Sequence, residues 1–318
     1  MYGCEAEELL DLQDRQAMPP HELRLLQRPP GPAPVTTLSR ARHLRDRVFQ
    51  LLEGHQHPRR TIELYAVAGY VCTLLAWISS DLGQLHDADT HARTAGMCAT
   101  MAGDSELWAW VLSTRSKIAY WDSRPQAAIQ HARHGQSYEP RGTAAILLAC
   151  QEADVWAEHG AVAEAQTAMA RANAARDRLT GHDEVGGLLA CPEVRRANYA
   201  AGVHLRTGQP RTALQEAQAA LAQPPHAHGT TAQLHVSTAC AHLALGEPDA
   251  AIVALQPVLD LPQEHRMAPV TSRLRELAAA TTGTPLANSR AAYELRGRID
   301  AFCDAAPRHA LSPADPVS

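Results

Sequence analysis

The stretch that decides the fold is Ala66–Ala95, AVAGYVCTLLAWISSDLGQLHDADTHARTA. It reads as two helices joined by a tight turn at Asp81-Leu82-Gly83-Gln84. Ala76 stands seven residues before Gly83, and Ala88, Ala92 and Ala95 stand five, nine and twelve after it. Small side chains at these four places let two antiparallel helices approach closely. A hairpin of this kind cannot bury its apolar face alone, so the reading calls for further copies along the chain.

Equivalent turn positions follow at Ser123, Gly160, Gly208 and Gly246, with a weaker sixth at Gly283. The intervals are 40, 37, 48, 38 and 37 residues. The long one carries an insertion, Thr180–Pro192 (TGHDEVGGLLACP), which reads as a solvated loop made flexible by Gly186-Gly187. Taking the four small-residue places at each of the first five turns, seventeen of twenty hold Ala, Gly or Ser. Chance placement would give about six at the chain's content of these residues. Pro125, Pro210 and Pro248 stand two residues after their turns, at the start of a second helix, where a missing N–H costs nothing. The sequence therefore predicts an all-α chain, a right-handed superhelix of five to six stacked antiparallel hairpins.

Composition agrees with close helix packing. Among 318 residues aromatics make up 4%, with two Phe, which argues against a large β-rich core. Cationic residues are 28 Arg and a single Lys, Lys117, the mark of a GC-rich genome. A net charge of −5 gives no general signal for nucleic acid or an acidic membrane. Seven cysteines occur singly, with no CxxC, and read as small buried hydrophobes in a reducing cytosol. No signal-peptide pattern and no uninterrupted apolar run of eighteen is present, so a cytoplasmic chain without membrane spans is expected.

Before the repeats, residues 1–36 hold an acidic amphipathic helix (Glu5–Gln16) and a proline-rich linker. A helix over Thr37–Glu53 follows, capped by Gly54 and read as a lid on the first hairpin. The repeat domain spans 37–304, and a tail without regular structure is expected over 305–318.

The small residues around Gly-containing turns resemble the tetratricopeptide repeat. More narrowly, LLAWISSDLGQLHDADTHARTA, GDSELWAWVLSTRSKIAYWDSRPQAAIQHA and VTSRLRELAAAT…SRAAYELRGRIDAF resemble the repeat region that follows a Cro/C1-type helix-turn-helix domain in actinobacterial transcriptional regulators. The resemblance covers residues 60–303. It implies a binding scaffold of transcriptional or signalling control. Only 36 residues precede Thr37, without a three-helix pattern or a basic recognition helix, so direct DNA binding is not expected.

The resemblance also places a ligand-binding concave face thirteen, ten, six and three residues before each turn, and spacings of three and four share one side of a helix. The candidate groove residues are Tyr70, Thr73, Trp77, Trp110, Ser113, Lys117, Tyr120, Asp154, Arg195 and Asn198. Aromatic rings there supply contact area at low entropic cost, and Lys117 or Arg195 can hold an anionic group such as a peptide carboxylate. The same residues also fit as packing between hairpins. The 17 histidines show no HExxH or zinc-finger spacing, no phosphate-cradling glycine loop occurs, and no metal or cofactor is expected.

Two readings follow. The first is a non-enzymatic scaffold that takes a peptide, a small molecule or a partner protein in its groove, with self-association through the ends of the array, as in a homodimer, as a further expectation. The second is an enzyme of a specialised biosynthetic pathway on a helical scaffold, using a histidine or Asp154 for acid–base work. Convergence of Asp154, Lys117 and a histidine in a closed pocket would separate them.

Overall fold

The computed structural model describes residues 34–179, 183, 185–224, 227–282 and 290–304. The N-terminal helix, nearly all of the proline-rich linker, part of the insertion, the turn at Gly283 and the tail lie outside the described residues. Within them the chain is all-α. Helix α1 (Pro34–Glu53) begins three residues before the predicted Thr37, because the fixed φ of proline suits the first helical position. Next come α2 (Pro58–Asp81) and α3 (Leu85–Ala102), α4 (Ser105–Trp121) and α5 (Pro125–Gln136), and α6 (Ala144–Glu158) and α7 (Val162–Asp177). The second half holds α8 (Glu193–Arg206) and α9 (Pro210–Leu221), α10 (His228–Ala244) and α11 (Pro248–Leu259), a 3-10 turn at Gln263–His265, and α12 (Ala268–Thr282) and α13 (Arg290–Asp304).

Each of these pairs packs face to face, and the first helix of one pair also touches the first helix of the next. The turns that join them share one geometry. Gly83, Ser123, Gly160, Gly208 and Gly246 all have positive φ, between 55° at Ser123 and 79° at Gly246. At each, the next N–H reaches back five residues to a helix carbonyl, as in Gln84 N–H to Ser79 O (2.8 Å) and Arg124 N–H to Ala119 O (2.8 Å). This closes the carbonyls that a helix end leaves open. The repeat spacing read from the sequence is therefore the spacing of a left-handed helix stop.

The small residues do the packing expected of them. Ala76, Ala153, Ala201 and Ala239 before the turns, and Ala88, Ala128, Ala165, Ala213 and Ala251 after them, are all fully buried. Ser116, the one hydroxyl in this set, donates from Oγ to Ala128 O at 2.9 Å and so buries no free donor. At Gly135 a Cβ would come within 2.6 Å of Leu148, so two helices meet there with no room for a side chain.

The array returns on itself. Helix α12 touches α2, and the place a Cβ would take on Gly83 lies 3.6 Å from Ala268 Cβ. Helix α1 packs on α2 and also reaches the 3-10 turn at the far end. By length and composition alone α2 is apolar enough to cross a bilayer, but 67% of its most apolar window is buried inside the fold. Five of the six described cysteines are buried, and Cys240 is half-buried.

Ser123 is a side-chain-bearing residue at a left-handed turn where the other four turns use glycine. Ser123→Gly is expected to stabilise by about 0.5–1 kcal/mol, and Gly208→Ala, which meets no neighbouring atom, to destabilise by about 1–2 kcal/mol. Urea denaturation of both variants measures this, and a shift of the wrong sign in either refutes the turn assignment.

Candidate functional site

Where the array returns on itself, a partly open cavity of about 200 Å³ lies along the first helices of the pairs. Its lining follows the register counted from the turns. Trp77, Lys117 and Asp154, six residues before their turns, line it from α2, α4 and α6. Tyr120 adds a residue three before. From α8 and α10 the lining residues stand farther back: Asn198 at ten, Arg195 and Gln233 at thirteen. Arg273 of α12 stands ten before Gly283. The cavity thus runs obliquely across the helices, and each later first helix presents a stretch one to two turns farther from its own turn.

This drift divides the sequence-predicted residues. Trp77, Lys117, Tyr120, Asp154, Arg195 and Asn198 come together in the cavity wall. Tyr70, Thr73, Trp110 and Ser113, on the far rows of the first two pairs, do not line it. They are buried between helices instead. Thr73 Oγ1 donates to Gly69 O at 2.7 Å. Ser113 Oγ donates to Gln151 Oε1 at 3.0 Å, and Gln151 Nε2 donates back to Ser113 O at 3.0 Å.

Two polar clusters stand in the wall. In the first, Lys117 Nζ donates to Asp81 Oδ1 at 2.7 Å and to Trp77 O at 3.1 Å. Nζ also lies 4.0 Å from the centre of the Trp77 ring, and the Arg195 guanidinium lies 4.3 Å from the same centre. One indole thereby serves two cations. Burial lowers the Lys117 amine to about 8, against the pull of the Asp81 carboxylate and with a further push from Arg195. Arg195 Nη1 donates to Leu188 O at 2.8 Å and Ala190 O at 2.6 Å.

In the second cluster, Arg206 Nη1 donates to Asp154 Oδ1 at 2.7 Å, and Arg273 Nη2 stands 3.9 Å from Oδ2. Arg206 Nη2 donates to the Tyr120 hydroxyl at 3.3 Å. Burial, then the Asp154 charge, raises the Tyr120 phenol far above its ordinary value, so it stays a neutral hydroxyl. Gly202 stands in the same row as Lys117 and Asp154. A Cβ there would lie 3.2 Å from Arg206 Nη1 and 3.4 Å from Asp154 Oδ1, so the glycine leaves space for the ion pair.

The insertion builds one side of the wall and is not a solvated flexible loop where it is described. Gly187, Leu188, Ala190 and Pro192 line the cavity. Gly186 and Gly187 take φ of 74° and 61° in a turn closed by a bridge from Gly186 to Leu189. Asp183 accepts from Thr143 N at 2.8 Å and from Thr143 Oγ1 at 2.6 Å, and Thr143 Oγ1 accepts from Cys191 N at 2.6 Å. His182 and Glu184 lie outside the described residues. At the opposite side, the rings of His228 and His265 stand 4.2 Å apart beside Met267.

Sequence reasoning missed Asp81, Arg206, Arg273 and the loop carbonyls. Asp81 and Arg206 had a signal, since each stands two residues before its turn, one helical turn after the row six before it. Arg273 and Leu188 had none, because they arrive by closure of the array and by folding of an insertion. No protein-family model matches the chain, and the comparison with curated proteins finds no match.

Lys117 is the chain's single lysine, so its ammonium is observable alone. In protein carrying 15N-lysine, the Nζ signal is expected to titrate with a midpoint near 8, and below that in Asp81→Asn. A wild-type midpoint near 10.5 would place the amine in water and refute the buried assignment.

Proposed function

We propose that this chain is a non-enzymatic, tetratricopeptide-type binding scaffold, a right-handed superhelix of stacked hairpins wound far enough to close around a small-molecule effector. On this reading it is a cytoplasmic sensor module of transcriptional or signalling control, with a partner protein docking on its outer surface. The observation that carries the reading is the cavity along the first helices. Every consecutive first helix contributes to its wall, and a buried guanidinium, Arg195, stands in it with no carboxylate partner among the described residues. A volume of about 200 Å³ suits a small molecule, whereas an α-helix of a partner is roughly 10–12 Å across.

The alternative enzymatic reading gains less. It asked for Lys117, Asp154 and a histidine in mutual reach. Each of the first two is engaged by another partner, Asp81 and Arg206 respectively, which favours charge fixed for recognition over a group poised to move a proton.

The test is capture of small molecules. Purified protein is incubated with the small-molecule fraction of a bacterial extract, washed, heat-denatured, and the released compounds are identified by mass spectrometry. The control is Ala227→Trp, which adds an indole to the cavity wall at the residue before α10. Compounds enriched by wild type and lost from a folded Ala227→Trp variant support the reading. Identical recovery from both proteins, or none from either, overturns it.

A further inference from the structure

We infer that the cavity takes a small monocarboxylic acid with an apolar body, its carboxylate held on the Nε–Nη2 edge of Arg195. This rests on the reading of the cavity as a ligand site and adds the ligand's chemical class and the group that grips it.

Arg195 is 9% exposed and presents one open edge. The centre of the Trp77 ring lies 4.3 Å from its Cζ, so the indole covers a face of the guanidinium. The carbonyls of Leu188 and Ala190 both take Nη1. Nε and Nη2 have no partner among the described residues, and both keep accessible surface in a side chain that lines the cavity. Nη1 is the nitrogen on the Cδ side of the group, so Nε–H and one N–H of Nη2 point the same way. Two parallel N–H groups match the two oxygens of a carboxylate. A buried cation with this edge open is costly unless an anion joins it.

The other cations of the lining have carboxylates beside them. Lys117 holds Asp81. Arg273 Nη2 stands 3.9 Å from Asp154 Oδ2, Glu276 lies within electrostatic reach, and the Arg273 Nε is sealed from the cavity. Asp154 also takes Arg206, which does not line the cavity. His228 and His265 face each other at the opposite side. Arg195 has no carboxylate within ion-pair distance among the described residues. A ligand with one negative charge suits this edge better than one with two. Asp81, held by the Lys117 ammonium over the same indole, repels a second charge, and the lining is mainly apolar. The body of the acid has Trp77, Val194, Tyr199, Leu188 and Met267 to lie against.

The experiment is calorimetric titration of the full chain, near neutral pH, with 4-methylpentanoate and 3-phenylpropanoate. The primary amide, the primary amine and the phosphate monoester on each skeleton are titrated beside them. At least one acid is expected to bind about tenfold more tightly than its amide, the effect of charge-assisted hydrogen bonds on a buried edge. The amine and the phosphate should bind more weakly than that acid. Arg195→Gln should bring the acid and its amide within about twofold of each other. In wild type, binding of the acid should also move the Lys117 ammonium midpoint upward, since the carboxylate arrives at the guanidinium that shares its indole, while the amide should leave it in place. That readout needs no variant to fold. Equal affinity for acid and amide, tighter binding of an amine or a phosphate, an unmoved midpoint under saturating acid, or no binding of either acid overturns the inference. So does an acid preference that survives Arg195→Gln and is lost in Arg273→Gln. If extract capture meanwhile yields a cavity-dependent compound without a carboxylate, the ligand class falls and the cavity reading stands.

Discussion

Close approach of paired helices at alanine is the constraint on which the structure depends. At Ala76 against Ala88 and Ala92 the two helices of the first pair meet with nothing larger than a methyl group between them. The place five after the turn holds alanine at all five turns, while the place nine after takes Met169 in the third pair and Leu255 in the fifth; the left-handed stop fixes the register, because a longer or looser connection would let it slide. Alanine packing buries little apolar area per residue, so stability has to come from many repeats and from polar braces between them. Glu152 shows the brace. It is 1% exposed and accepts from Arg133, Gln136, Trp156 and Arg171, which ties α5, α6 and α7 together. Burial alone would raise its pKa, but these hydrogen bonds outweigh burial and hold the carboxyl below its ordinary value.

The same register places the charged groups of the cavity wall among its mainly apolar lining. Six residues before the turn, the chain places Trp77, Lys117, Asp154 and Gly202 in succession. Bulk gives way to charge and then to absence of a side chain. The glycine is what lets Arg206 reach Asp154 from the next pair. A ladder of this kind is a series of interactions between neighbouring repeats, so removal of one member is felt in the next pair rather than within its own helix.

Legibility followed sequence distance. Turns, small-residue places and the pairing of helices are local, and Gly83, Ser123 and their equivalents reveal them without any tertiary information. The row holding Trp77, Lys117 and Asp154 came from the resemblance to the repeat family, counted from those same turns. Tyr70 and Trp110 were not, because the choice between groove and packing depends on how far each helix slides along the next, a quantity set by the whole array. Closure was also beyond reach. Nothing in Gly83 or Ala268 alone announces that they meet across some 185 residues.

The insertion then changes in meaning. An extra ten or so residues in one repeat of a regular array would ordinarily be a surface excursion. Here Asp183 and Cys191 are both fastened to Thr143, at the start of α6, so the segment is held against the neighbouring pair at its two ends. What it presents inward is backbone: the carbonyls of Leu188 and Ala190. Those carbonyls take Nη1 of Arg195 and fix the guanidinium over Trp77. A carboxylate in their place would have neutralised the arginine. Carbonyls orient it and leave its charge in the cavity. The insertion thus aims a buried cation that no carboxylate among the described residues neutralises.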